Sequence, residues 1–304
     1  MKKIKAVFTV VILLGVFSCQ KPLEHQFIYA FENPDEATVE NTSKIVEVLE
    51  SRLSYYGLKN SVSLFEDNKI LIKAYSNTLK DEALNNVVTN KGKLEFWETF
   101  NSIKIARDIF ELEDYKENGS AASKILKASS GTGFEGYPIL LYMKPKDTLN
   151  VIKTLDSLKQ KLFGPQKFVK FLYGRPSKDG ALSIYTIKSN RENKAVMSGS
   201  VIEKAQQKKD FANRPVVSIT MNQEGALEWE RLTEKAYNEN RQIAMVINDV
   251  VFSAPGVSNG PIKGGRSEIS GDFTVQEAAE LAAILLGKEE IPQLKLMTYT
   301  KQPQ

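Results

Sequence analysis

Few side chains in this sequence are suited to catalysis. Among the 304 residues, His25 is the only histidine and Cys19 is the only cysteine. A catalytic triad or a histidine metal site needs an imidazole held in a packed scaffold, whereas His25 falls in a polar segment typical of a tether. Carboxylate pairs such as Glu224 and Glu228, or Glu277 and Glu280, could perform acid–base chemistry, but at this spacing they are more typical of a solvated helix face. We therefore expect no catalytic residue, cofactor or metal, and an undetected hydrolase is the weaker hypothesis.

The densest group of glycine, serine and basic residues is VFSAPGVSNGPIKGGRSEISG, at positions 251–271. In a P-loop the lysine follows a glycine and precedes a serine or threonine at the start of a helix, but Lys263 is followed by Gly-Gly-Arg. The G-x-G-x-x-G spacing of a dinucleotide site is absent as well. A helix begins after the stretch, so an anion could dock there. We favour the alternative, a long loop in which Gly264, Gly265 and Gly271 are conformational residues.

The N-terminal segment MKKIKAVFTVVILLGVFSC has the organisation of a signal peptide. Its apolar run at positions 6–17 is shorter than the roughly 20 residues that span a bilayer. Ser18 followed by Cys19 resembles a bacterial lipobox, in which the cysteine is acylated and becomes the first residue. We predict a lipoprotein signal peptide at 1–18, lipidation at Cys19 and a tether at 19–26. No later stretch is apolar and long enough to cross a membrane, so we expect a soluble body, anchored by lipid in the bacterial envelope and facing the periplasm.

Composition favours a folded protein that does not bind nucleic acid. The chain is 42% apolar and 26% charged, which is sufficient for a sizeable core. Its formal charge is +4, and loss of the three lysines of the signal peptide would lower this to about +1. Such a charge is far from the basic surface of a nucleic-acid-binding protein.

Residues 27–98 have the periodicity of a small α+β unit. FIYAF at 27–31 alternates as a strand does, and a helical pattern follows up to Gly57. VSLF and ILIKAY flank Asp67-Asn68 as a hairpin, and a shorter helix is predicted with Thr78 as its cap. LEFW, at 94–97, is the next predicted strand. This β-α-β-β-α-β order predicts a ferredoxin-like base, which a closing strand within 291–300 would rejoin.

Residues 99–290 predict a larger α+β head. A glycine- and serine-rich stretch after Thr99 marks the change from one unit to the other. Asn222 is predicted to cap a helix, Asn248-Asp249 to turn a hairpin, and Thr274 with Glu277 to form a capping box. The overall fold class is therefore α+β.

Several segments of the sequence resemble the first periplasmic domain of SecD and of fused SecDF, accessory subunits of the bacterial Sec translocase. In the head these are PVVSITMNQEGALEWERLT, RQIAMVINDVVFSAPGV and IKGGRSEISGDFTVQEAAELAAILLGKEEIP. Upstream, IVEVLESRLSYYGL, NKILIKAY and GKLEFWE resemble the base of the same family. The resemblance implies a ferredoxin-like base with an α+β head inserted beyond it. It also implies that the head engages preprotein while a proton current through membrane helices drives the cycle.

The functional expectation is a non-catalytic, lipid-anchored SecD-like domain. It would assist Sec-dependent export by binding translocating or unfolded polypeptide, or components of the translocase. Phe252 and Ile262 are the candidate contacts for polypeptide. Because no membrane helix is expected after the domain, the intramembrane acidic residues of a proton-driven motor are not expected either. The alternative is an envelope scaffold lipoprotein that kept the fold and lost the role in translocation.

Overall fold

The computed structural model describes residues 22–112, 117–164, 168–177, 179–287 and 290–302. The predicted signal peptide and the candidate lipidation site Cys19 lie outside these residues. Within them the strands form four antiparallel sheets, and helices pack against the sheets. The predicted α+β class is therefore confirmed.

The secondary-structure elements are numbered in chain order. The strands are β1 (Glu24–Phe31), β2 (Lys59–Phe65), β3 (Lys69–Tyr75), β4 (Leu94–Glu98), β5 (Ser129–Thr132), β6 (Ile139–Met143), β7 (Val169–Tyr173), β8 (Leu182–Lys188), β9 (Met197–Ser198), β10 (Ile202–Lys209), β11 (Pro215–Met221), β12 (Ile243–Ile247), β13 (Val250–Ser253), β14 (Arg266–Ile269) and β15 (Leu294–Gln302). The helices are α1 (Val39–Tyr55), α2 (Asp81–Thr89), α3 (Ser102–Leu112), α4 (Ala121–Ala128), α5 (Thr148–Phe163), α6 (Gln223–Asn238) and α7 (Val275–Leu286).

The base is a four-stranded sheet, in the order β15-β1-β3-β2, covered by α1 and α2. Alternate residues of β1, namely Phe27, Tyr29 and Phe31, point into its core. Helix α1 meets them with Ile45 and Leu49, which lie four residues apart and so share one face. The element order is β-α-β-β-α-β, and β15 supplies the last strand.

The prediction that residues 94–97 complete the base sheet was wrong. They lie in β4, which pairs with β12 and β9 in the head, with Phe96 opposite Met245. Leu94 to Trp97 are buried on both faces of this strand. Such a strand fits a central position between two packed layers rather than the edge of the base, and there β15 pairs with β1 instead.

Two predictions about the ends of elements in the base were also wrong. The predicted tether at 19–26 overlaps β1, which begins at Glu24, and His25 is almost fully buried. Its Nδ1 lies 2.9 Å from the Tyr299 hydroxyl, and its Nε2 lies 2.9 Å from the Ser76 carbonyl oxygen. Thr78 does not cap α2, because that helix begins at Asp81 after Lys80.

The head contains two large apolar cores and a smaller cluster that includes Trp97, Leu172 and Val246. The first lies among α6, α7, the sheet β10-β11-β14 and the sheet β13-β12-β4-β9, with Trp229 at its centre. The predicted turn residues Asn248 and Asp249 have φ angles of 50° and 62° and join β12 to β13 directly. The second core belongs to the sheet β5-β6-β8-β7 with α3, α4 and α5. Residues 102–188 thus form a lobe with its own core, and the prediction of a single head at 99–290 does not separate this lobe from the rest.

The predicted capping residues of the head helices are confirmed. The Asn222 side chain accepts a hydrogen bond from the Gly225 backbone N–H at 2.7 Å. Thr274 and Glu277 form a reciprocal capping box at the start of α7. Across the described ranges, every helix is too short or too polar to cross a lipid bilayer.

Candidate functional site

A cleft of about 230 Å³ lies where the base meets the head, and we call it the junction cleft. One wall is the end of α2 in the base, and the other is one face of α7 in the head. Four residues of α7 line the cleft. They lie three or four positions apart along the helix, so their side chains share one face. The residues lining the junction cleft are Asn86, Thr89, Asn90, Arg175, Phe252, Phe273, Glu277, Glu280, Leu281 and Ile284.

Arg175 reaches the cleft from the lobe formed by residues 102–188. Its backbone N–H donates to the Val251 carbonyl at 3.2 Å, which ties the end of β7 to β13. The guanidinium carbon lies 5.3 Å from the Phe252 ring centre and 4.8 Å from the Phe273 ring centre. Its Nη2 donates to Glu277 Oε1 at 2.7 Å. A carboxylate and two aromatic rings therefore hold the Arg175 guanidinium in place.

Glu277 and Glu280 lie on the same face of α7 but in opposite electrostatic settings. Burial disfavours the charged form of Glu277, yet its hydrogen bonds with Thr274 and the charge of Arg175 outweigh burial and lower its pKa. Burial also disfavours the charged form of Glu280, and there it prevails over hydrogen bonds from Gln276 and Asn86 and raises the pKa. The cleft therefore holds one carboxylate that stays ionised and one that protonates more readily.

The burial of Glu280 differs from the solvated helix face that the sequence suggested. Glu280 is only 6% exposed, because α7 packs between the base and the head and has little solvent-exposed surface. The Asn86 side-chain amide donates to Glu280 Oε2 at 3.2 Å, which links α2 of the base to α7. A buried polar group needs such partners, and this one joins the two subdomains.

A second buried charge, Arg52 in α1, lies beside the same junction. Its Nη1 donates to the Asn90 carbonyl at 2.5 Å, and its Nη2 donates to the Lys91 carbonyl at 3.1 Å. A Cβ added at Gly287 would lie 2.7 Å from Arg52 Nε, so the glycine lets the end of α7 approach the guanidinium. Burial lowers the pKa of Arg52 to about 10, which still leaves it protonated at neutral pH. Arg52 thus holds the end of α2 against α1.

Of the two candidate polypeptide contacts, Phe252 lines the junction cleft and Ile262 does not. Ile262 packs against the apolar core of the head, and its backbone N–H donates to the Thr233 hydroxyl on α6 at 2.9 Å. The structure therefore does not bring the two into one site. Whether either touches a polypeptide stays a prediction.

The three glycines of the 251–271 stretch have different surroundings. Gly264 and Gly265 have φ angles of 76° and 63°, in the left-handed region, just before β14. A Cβ at Gly265 would lie 2.7 Å from the Ala226 Cβ, whereas one at Gly264 would meet nothing within 4 Å. A Cβ at Gly271 would lie 3.2 Å from the Phe273 ring, at a residue without a left-handed φ.

Sequence reasoning missed Arg52, Arg175 and the burial of Glu280. Arg52 had a signal, because it falls on the apolar face of α1 beside Leu49 and Leu53, where a charge is unexpected. Arg175 had none, because it follows a strand end and meets Phe252 and Glu277 only in the folded chain. The lining side chains offer hydrogen-bonding groups beside aromatic rings, which suits non-covalent binding. Across the described residues, no three His, Cys, Asp or Glu side chains are grouped to hold a metal ion.

These elements define an α+β protein with a base and an inserted head that meet at a cleft. Residues 179–288 match the family model described as SecDF, P1 head subdomain. Two solved SecDF structures share the fold beyond that segment. One, in a super-membrane-facing form, aligns over 93% of this chain and 30% of its own at 17% identity, with a TM-score of 0.53. The other, of a membrane component SecDF that enhances protein export, aligns over 90% of this chain and 98% of its own at 18% identity, with a TM-score of 0.50.

Curated relatives point to the same family. The protein translocase subunit SecD of Rhodothermus marinus is 44% identical over 89 residues, which is 29% of this chain and 14% of the relative. SecD of Calditerrivibrio nitroreducens is 36% identical over 116 residues, 38% of this chain and 22% of the relative. Each aligned segment therefore spans less than a quarter of its relative's own length. This chain is therefore similar to SecD P1 domains: residues 179–288 match the P1 head, and its fold over most of its length is similar to that of the solved SecDF structures.

Proposed function

We propose that this protein assists Sec-dependent protein export as a non-catalytic, lipid-anchored SecD-like domain. In this role it binds translocating polypeptide or the Sec translocase on the periplasmic side of the envelope. The observation that carries the proposal is the match of residues 179–288 to the P1 head. The SecD relatives are named protein translocase subunits, and the SecDF of one solved structure is described as enhancing protein export.

The junction cleft supports binding rather than chemistry as the basis of this role. Phe252 and Phe273 offer aromatic surface, and Glu277 is already paired with Arg175. Neither a hydroxyl or thiol nucleophile activated by a base nor a metal is needed to recognise a peptide, because apolar contact and backbone hydrogen bonds are sufficient. The cleft also spans both subdomains, so an occupant would contact the base and the head together.

Site-specific photo-crosslinking in cells tests this proposal. A crosslinking amino acid at Phe252 should capture secreted precursors or Sec components. The matched control is Phe134, which is 72% exposed between β5 and β6 and does not line the cleft. Adducts at Phe252 that exceed those at Phe134 would support the proposal. Adducts to other envelope proteins alone would instead favour the scaffold alternative, and no adduct at Phe252 above the Phe134 level would contradict the proposal.

The lipid anchor is tested separately, because it rests on the sequence alone. A fatty-acid probe should label the wild-type protein, and the Cys19→Ala variant should lose that label completely. A Ser18→Ala variant, which keeps the thiol, serves as the control. Labelling that persists without Cys19 would show that the anchor assignment is wrong.

A further inference from the structure

Strand β10 lies at the edge of the head sheet β10-β11-β14, and among the described residues only β11 pairs with it. The Asp210 N–H donates to the Arg214 carbonyl at 2.9 Å, just beyond the end of the pair. This bond shows which residues of β10 direct their backbone groups toward β11. In an antiparallel ladder every second residue turns its N–H and C=O toward the partner strand. Lys208, Gln206 and Lys204 therefore face β11, and the backbone groups of Lys209, Gln207 and Ala205 face outward.

The residue opposite Lys209 agrees with this assignment. Pro215 has no N–H, and it lies at a position of β11 where no ladder bond with Lys209 is made. A proline there removes nothing from the sheet. Ala205 is 7% exposed, whereas Gln207 is half-buried and Lys209 is exposed, so the free edge that can accept a further strand lies at the Gln207–Lys209 end of β10.

A groove of about 470 Å³ runs beside this edge, and we call it the edge groove. Five consecutive residues, 203–207 of β10, line one side. The opposite side is α7, which contributes Ala279, Ala282, Ala283 and Leu286, and Tyr55 at the end of α1 closes one end. Neighbouring strands lie about 4.8 Å apart, so small side chains facing a free edge leave room for a backbone.

We infer that an extended polypeptide binds in the edge groove by pairing with β10 as an additional strand. The inference rests on the proposed export role and names the form in which polypeptide is held. Hydrogen bonds to the outward groups of Gln207 and Lys209 would recognise the main chain, which every extended polypeptide shares whatever its side chains. Ala279 of α7 is half-buried and would leave room for varied side chains beside the bound strand.

The charge of β10 narrows the occupant to neutral or acidic segments. Lys204, Lys208 and Lys209 are exposed on this strand, and Glu203 is its one exposed acid. Lysines at a sheet edge oppose indiscriminate pairing. A second copy of β10 would place lysines beside lysines, so self-pairing is disfavoured, whereas glutamates on a bound strand would be attracted.

Peptide binding to the whole chain tests the inference. The probe is a fluorescent eight-residue peptide, as long as β10, of alternating valine and threonine with glutamate at both ends. Its analogue carries N-methyl groups on alternate amides and so cannot pair as a strand. Fluorescence anisotropy should show at least about tenfold weaker binding of the analogue, the loss expected from one or two backbone hydrogen bonds. A lysine-flanked peptide should bind more weakly than the glutamate-flanked one, by a margin that falls with salt.

Variants at one residue separate backbone from side-chain recognition. Gln207→Pro removes an outward N–H and leaves the β10–β11 ladder intact, so it should weaken the peptide about tenfold. Gln207→Ala keeps that N–H, and its affinity should stay within about twofold of the wild type. Ala279→Leu narrows the groove from the opposite wall and should also weaken binding. The thermal midpoint of each variant shows whether it is folded.

The outcomes distinguish this inference from the export proposal. Binding that is unaffected by both Gln207→Pro and Ala279→Leu would overturn the edge groove as the site and leave the export role standing. Equal binding of the N-methylated analogue would overturn strand pairing. A dimer that dissociates in Gln207→Pro would assign the edge to a second copy and overturn the inference. If no peptide binds, the inference falls, whereas the export role is still judged by crosslinking at Phe252.

Discussion

The last strand of the base comes from the far end of the chain, whereas the central hairpin of the head is made by neighbours in sequence. His25 on β1 and Tyr299 on β15 are 274 residues apart, and their side chains meet at 2.9 Å. In the head, Asn248 and Asp249 turn β12 directly into β13, and Phe96 packs edge-on against Trp229 at 5.3 Å. A polar contact between distant residues thus fixes the last strand of the base, whereas a local turn and apolar burial stabilise the head. Substitutions should therefore affect the two subdomains through different mechanisms.

Arg52→Met should give the largest effect, and it should fall on the base. The substitution leaves the Asn90 carbonyl without its buried donor and removes one of the two donors to the Lys91 carbonyl, so we expect a loss of about 3 kcal/mol in the free energy of unfolding. Urea unfolding followed by circular dichroism measures it. Arg231→Ala, at an exposed position of α6, should change stability by less than about 0.5 kcal/mol. Equal losses in the two variants would refute the structural role of Arg52.

The glycines on either side of β14 probe how local geometry specifies the head. Gly265→Ala combines a left-handed φ with a contact at 2.7 Å to Ala226, and it should cost about 2 kcal/mol or more. Gly264→Ala keeps the same backbone strain but meets open space, so about 1 kcal/mol is expected. Gly271→Ala has no left-handed φ and should cost least. Thermal unfolding of the three variants checks this order, and a reversed order would be evidence against the loop geometry.

Tyr299→Phe should loosen the base and leave the head unchanged. The substitution removes the hydroxyl that bonds to His25, which should cost about 1 kcal/mol. Hydrogen exchange should show reduced protection in β1 and β15, and unchanged protection in β12 and β13. Tyr237→Phe, at an exposed tyrosine of α6, is the control. Loss of protection spread evenly over both subdomains would mean that they unfold as one unit and would weaken the comparison.

The same contrast explains which features could be predicted from the sequence. The Asn222 cap, the Thr274–Glu277 capping box and the Asn248-Asp249 turn depend on residues within four positions of one another, so their signals are readable along the chain. The partners of β4 are β12 and β9, about 150 and about 100 positions away, and periodicity alone cannot identify them. The prediction for β4 therefore named the wrong sheet.

The candidate site was less predictable than the fold. Phe252 was proposed from the resemblance to SecD, and it does line the junction cleft. The cleft itself depends on Arg175 and Glu280, whose partners come from other elements of the folded chain. Their hydrogen bonds span 102 and 194 positions, a distance over which one sequence carries no pairing signal.

The smallest expected effect is the pH dependence of stability that comes from Glu277 and Glu280 of α7. Both residues line the junction cleft, so this effect reports on the junction. Glu280 has a raised pKa in the folded protein, so its folded form binds more protons than the unfolded chain just above the ordinary pKa, and its contribution to stability falls as pH rises. Glu277 has a lowered pKa, so its contribution is present above the ordinary pKa and is lost as pH falls.

Unfolding free energies of the wild type, Glu280→Gln and Glu277→Gln, measured between about pH 3 and pH 7, should separate the two groups. Relative to the wild type, Glu280→Gln should become more stable as pH rises through the acidic range, and Glu277→Gln should become less stable. The Glu277 side chain is 41% exposed, so solvent and salt screen its ion pair with Arg175. Added salt should therefore reduce the stability difference between the wild type and Glu277→Gln before it reduces the one for Glu280→Gln. If the two stability differences changed with pH in the same direction, burial against the base would not set the charge of Glu280. The carboxylates at the junction would then behave like those on an ordinary exposed helix surface.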